Sequence, residues 1–182
     1  PPLRVNPTGV PWPAAGQLTP RARAKAQLGL PPGARVALFA AHGGARAAYK
    51  SGSQWPEYWS EIRALLPDLV ARDGLRALAA GGDQSGTTPD GLTLWPYVDR
   101  PKLALAMRAA DVLVYPALAD NHPLVLLEAA AQELPVVSYA VGGVPEIVTH
   151  GTTGLVVAEG DRAALVAAAA GLLDSPLMAR RM

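Results

Sequence analysis

Arg46 and Lys50 lie four positions apart in the glycine-rich stretch Ala41-His42-Gly43-Gly44-Ala45-Arg46-Ala47-Ala48-Tyr49-Lys50-Ser51-Gly52. Two cations at that spacing can neutralise a diphosphate, with Gly43 and Gly44 in the set that meets the ligand; the same spacing also fits a pair of solvated loop cations. Farther along, Asn121-His122-Pro123-Leu124-Val125 leads into the apolar run from Leu126 to Ala131. Asn121 is expected to cap a helix whose first turn contains Pro123. The N–H groups of a first helical turn lack partners inside the helix, and the helix dipole adds partial positive charge, so such a start is suited to a pyrophosphate. Proline has no N–H, which leaves His122, Leu124 and Val125 as the expected donors.

Glu128 falls in the second turn of the same helix, which is apolar all round until Gln132, and is flanked by Leu124, Leu127 and Ala131. Such a helix is expected to be buried. A buried carboxylate is costly unless donors meet it. The two hydroxyls of a ribose would do so, and so would an internal pair with an arginine or a backbone N–H.

These residues need a frame to hold them. Residues 1–19 carry Pro1, Pro2, Pro7, Pro11 and Pro13 with little periodicity, which suits an extended interdomain linker. Residues 20–182 are then the domain that carries the chemistry. Thr19-Pro20 reads as an N-cap and a first helical residue, and Gly29 stops that helix at Leu28. Apolar runs at 35–40, 75–80, 92–95, 111–115, 135–139 and 155–157 have the length of buried strands. Between them helical spacing is clearest at Ile62, Leu65, Leu66, Leu69 and Val70, and later at Leu165, Ala168, Ala169 and Leu172. Strands alternating with helices predict an α/β fold, a doubly wound parallel sheet with right-handed crossovers. In such a sheet ligands bind beyond the carboxyl ends of the strands, where strand order reverses, which directs attention to the loops after the first and fourth strands.

Composition narrows the function classes. The 182 residues suit one well-packed domain, and no apolar run approaches the roughly 20 residues of a membrane helix. A net charge of +1 gives no broad attraction to nucleic acid, so an anion must be met by a local site. There is no cysteine, hence no disulfide, thiolate metal site or thiol nucleophile. His42, His122 and His150 show no ligand-set spacing, and no metal is expected. Pro1-Pro2-Leu3-Arg4 has neither the charged start nor the apolar core of a signal peptide, and the chain is expected to be a piece of a longer one.

The string Asp120-x7-Glu128 resembles the paired-acid E-x7-E motif of the retaining glycosyltransferases of family 4. Leu134-Pro135-Val136-Val137, Gly142-Gly143-Val144-Pro145-Glu146-Ile147-Val148 and Gly151-Thr152-Thr153-Gly154-Leu155-Val156 follow as they do in that family, and the likeness covers residues 30–175. The resemblance implies a GT-B fold, two facing Rossmann-like domains with the nucleotide-sugar donor in the cleft, of which this chain would be the C-terminal, donor-binding half. A companion N-terminal domain would lie outside it. Glu128 would bind the ribose hydroxyls and Asp120, in place of the usual glutamate, hydroxyls of the donor sugar. The loop at Asn121, His122, Leu124 and Val125 would bind phosphate, Lys50 with Arg46 would stabilise the departing diphosphate, and the base would lie at Tyr97 and Val98. No cofactor is implied beyond the donor substrate, a UDP-sugar first, with GDP- and ADP-sugars as alternatives. The acceptor would be a glycan, lipid or small molecule. A cytoplasmic location is implied, with the longer parent protein a candidate for peripheral association with the inner membrane face.

Rival readings are weaker. A dinucleotide-binding dehydrogenase needs Gly-x-Gly-x-x-Gly after the first strand, and His42-Gly43-Gly44-Ala45-Arg46 does not supply it. A receiver-like signalling module needs acids where Phe39-Ala40-Ala41-His42 stands. Half of a sugar-nucleotide epimerase, which shares the two-domain fold, and a non-catalytic nucleotide-binding module stay open.

Overall fold

The computed structural model describes residues 9–14, 16–41 and 48–182. The apolar runs become strands because parallel strands covered on both faces by helices bury every side chain. The elements are α1 (Arg21–Gln27), β1 (Arg35–Ala40), two short 3₁₀ turns (Ala48–Lys50 and Gly52–Gln54), α2 (Trp55–Ala64), α3 (Pro67–Ala71), β2 (Leu75–Ala80), β3 (Gly86–Thr87), β4 (Leu92–Trp95) and α4 (Arg100–Ala109). They continue through β5 (Val112–Tyr115), α5 (Leu124–Ala131), β6 (Val136–Tyr139), α6 (Val144–Ile147), β7 (Gly154–Val157), α7 (Arg162–Asp174) and α8 (Pro176–Arg181). One sheet forms in the order β3-β4-β2-β1-β5-β6-β7. All pairings are parallel except β3 with β4. The order reverses between β1 and β5, as in a doubly wound Rossmann-like sheet.

The core lies along the sheet. Val36 to Phe39 on β1 and Val112 to Val114 on β5 are fully buried. α7, with α2 beside it, covers one face, and α4, flanked by α1 and α5, covers the other. At the amino end of the sheet Lys25 is buried, donating to the Ala34 carbonyl at 2.6 Å and to Asp111 Oδ2 at 3.0 Å, while Asp111 also accepts from the Val36 N–H at 2.9 Å. A buried charge pair with that many hydrogen bonds is satisfied and fixes where α1 meets β1 and β5.

Three local expectations change. The stretch from Ile62 to Val70 is two helices, because Pro67 supplies no N–H and Leu66 before it takes a non-helical backbone (φ −126°, ψ 50°). Thr19 caps nothing: Pro20 holds the N-cap position of α1 without a side-chain bond, and the Thr19 carbonyl instead accepts from Arg108 Nε at 2.6 Å. The short antiparallel β3 has no apolar run to announce it; Gly86 and Thr87 are both exposed. The described part of the 1–19 segment forms no helix or strand, though Val10 and Pro11 rest beside Leu103 and Met107 of α4.

Candidate functional site

β1 and β5 are neighbours whose following connections diverge, so a crevice opens at their carboxyl ends. A cavity of about 430 Å³ fills it, lined among others by Lys50, Tyr97, Asp120, His122, Leu124 and Glu128. That is the size of pocket that takes a small organic ligand, roughly 300–1,000 Å³. Gly81 closes the floor: at φ +104° its missing Cβ would overlap the Ala41 carbonyl oxygen, so the loops after β1 and β2 touch.

Asp120 is held on both oxygens. Tyr115, at the buried end of β5, donates its hydroxyl to Oδ2 at 2.7 Å, Lys50 Nζ stands 3.2 Å from that oxygen, and the His122 N–H donates to Oδ1 at 3.2 Å. The Gly142-Gly143 pair supports this loop from behind. A Cβ on Gly142, which has φ +47°, would overlap the Asp120 carbonyl oxygen, and one on Gly143 would overlap that of Asn121. The Gly143 N–H donates to the Asp120 carbonyl at 3.1 Å. Gly143→Ala is therefore expected to push the acid-bearing loop outward, costing about 1–3 kcal/mol as overpacking does. Denaturant titration reads that loss; an unchanged midpoint would show the loop to be compliant.

The helix start differs from expectation. α5 begins at Leu124, and Pro123, with φ −70° and ψ 98°, occupies the N-cap position without a side-chain cap. Pro123 is itself extended, so the helix starts only after it and Asn121 sits too early to cap it. Among the donors, the His122 N–H is engaged by Asp120. The N–H groups of Leu124 and Val125 have no acceptor among the described residues and stand at the cavity. A helix start with such N–H groups is suited to an anion.

Glu128 lies in the second turn of α5 but is half-buried, because one flank of the helix faces the cleft instead of core. It has no hydrogen bond or ion pair among the described residues. Desolvation raises its pKa above the usual carboxyl value, and the positive charge of Arg100 partly opposes this. Of the two sequence readings, the internal pair is not formed among the described residues. Tyr97, largely exposed, and Val98 line the opposite side of the same cavity. Arg100, at the start of α4, also borders it and was not anticipated, since only the packing of α4 against α5 brings it there. Tyr115 was missed too: in the sequence it is one more apolar strand residue. Gly43, Gly44 and Arg46 lie outside the described residues. Among the described residues no three His, Asp or Glu side chains stand together to hold a metal ion, and no helix is long and apolar enough to cross a membrane.

Fold and site together define a Rossmann-like domain with a crevice at the carboxyl ends of β1 and β5, and its structural neighbours are GT-B glycosyltransferases. WaaG, a glycosyltransferase involved in lipopolysaccharide biosynthesis, superposes with a TM-score of 0.73 over 96% of this chain and 48% of its own, at 19% identity. HepE of Anabaena in complex with UDP-glucose gives 0.62 over 88% of this chain and 46% of its own, at 16% identity. In sequence, a D-inositol 3-phosphate glycosyltransferase of Mycobacterium avium is 39% identical over 131 residues, 60% of this chain and 31% of that enzyme. Residues 60–175 match the family model for glycosyl transferases group 1, and the chain belongs to that family. It spans less than half the length of each of these relatives.

Proposed function

We propose that this chain is the donor-binding, C-terminal domain of a retaining glycosyltransferase of family 4 that moves a hexose from a nucleotide diphosphate sugar to an acceptor. The observation that carries the reading is the half-buried Glu128 carboxylate, without a partner among the described residues, on the wall of a cavity that also holds Lys50 and two helix N–H groups with no acceptor among those residues. A ribose diol answers the first, and a diphosphate answers the others. As the sugar–phosphate bond breaks, charge develops on the diphosphate, where the Leu124 and Val125 N–H groups and Lys50 are already placed to stabilise it. Asp120 then meets hydroxyls of the sugar, and Tyr97 and Val98 flank the base. A UDP-sugar is the first choice of donor, supported by the UDP-glucose complex of HepE. Calorimetric titration of the chain with UDP, GDP and ADP is expected to show one weak site with UDP ahead. No binding to any of the three would overturn the reading.

A further inference from the structure

The cavity holds one buried polar group that this reading leaves without a task. Tyr115 is only 1% exposed, and its backbone carbonyl is pinned by Ser138 Oγ at 2.9 Å, so its ring has a fixed address at the end of β5. From there the hydroxyl reaches Asp120 Oδ2 at 2.7 Å, the oxygen that Lys50 also faces at 3.2 Å. A diphosphate entering the crevice competes with Asp120 for Lys50, because the single positive charge of the ammonium would then be shared between two anions. If Lys50 turns to phosphate, Asp120 loses its cation while it must still point at the sugar. The phenol cannot leave, since its ring is packed. Burial and the neighbouring carboxylate also push the hydroxyl's pKa upward, so it stays a donor.

We propose that Tyr115 is a positioning residue for the donor sugar: it keeps the Asp120 carboxylate aimed when Lys50 is drawn to the diphosphate. The inference rests on the reading of Asp120 as the group that meets sugar hydroxyls. It makes a claim that mere support of the loop does not, namely that the loss on removing the hydroxyl depends on whether the ligand carries a sugar.

The test compares UDP, GDP and ADP with their glucose conjugates on the chain, in wild type, Tyr115→Phe and Asp120→Asn. Tyr115→Phe removes one oxygen and leaves the ring packing in place. For whichever nucleotide binds, it is expected to weaken the glucose conjugate about tenfold more than the plain diphosphate, as a lost charge-assisted hydrogen bond would. Asp120→Asn should show the same selective loss. Equal weakening of both ligands in Tyr115→Phe would reduce Tyr115 to a prop for the loop and overturn the proposal. A selective loss in Asp120→Asn with none in Tyr115→Phe would overturn it while leaving the function of Asp120 standing. Failure of the wild-type chain to bind all six ligands would remove the functional reading itself, and this inference with it.

Discussion

Glu128→Ala is expected to weaken nucleotide diphosphate binding by about 10- to 100-fold, since a hydrogen bond to a charged group contributes about 1.5–3 kcal/mol. Two features of Glu128 support the expectation. Glu128 has no hydrogen bond or ion pair among the described residues, so the alanine variant breaks no internal bond to any of them. Its carboxyl pKa is raised, by desolvation first and against the opposing charge of Arg100, which means that the ionised form is held at a cost until a ligand supplies donors. The sign of the pH dependence follows. A carboxyl whose folded pKa lies above its unfolded value destabilises the fold at pH above the folded pKa, and that destabilisation disappears as pH falls below the unfolded value. The alanine variant should therefore melt at or above the wild-type temperature near neutral pH, with the gap closing in acid. Affinity for nucleotide should move the other way in wild type, falling as Glu128 takes up its proton, because only the carboxylate accepts from both hydroxyls. Unchanged affinity together with a large drop in melting temperature would make Glu128 a structural residue and the ribose assignment wrong.

Much of the frame was legible because a sheet buried on both faces writes itself as short apolar runs: β1, β2 and β4 coincide with the runs at 35–40, 75–80 and 92–95. What failed was local and had a proline or a glycine in it. Pro67 splits one periodic stretch into α2 and α3, with Leu66 before it out of helical backbone, and the extended backbone of Pro123 delays α5 past the residue best suited to cap it. The helical period of Leu124 to Ala131 told that Glu128 sits among apolar neighbours, yet not that one flank of that helix has no layer over it; only the sheet order shows the crevice. Tyr115 and Arg100 were invisible for a related reason. Their parts in the site come from a loop folding back five residues and from α4 packing on α5, and neither leaves a spacing to read.

The chain alone is expected to transfer no sugar at a measurable rate. Its described residues build one sheet, and the crevice at β1 and β5 is a single wall with Tyr49, Tyr97 and Leu118 exposed nearby. The chain spans less than half the length of the relatives it matches, and the proposed function puts the opposite wall in a companion domain. On the proposed reading, binding a donor needs only the Leu124 and Val125 N–H groups, Lys50 and Glu128, all of which line this cavity. Transfer needs an acceptor hydroxyl held about 3–3.5 Å from the anomeric carbon, in line and shielded from water. Placement of that kind is worth roughly 7–11 kcal/mol in well-oriented intramolecular reactions. Losing half of it slows the reaction by about three orders of magnitude. Slow hydrolysis of the donor is the most that one wall supports, because water reaches the anomeric carbon unaided while an acceptor does not. The decisive measurement offers nucleotide sugars and a panel of acceptors to the purified chain and to the longer protein with its companion domain. Transfer by the chain at a rate near that of the longer protein would show that the acceptor wall lies within these 182 residues.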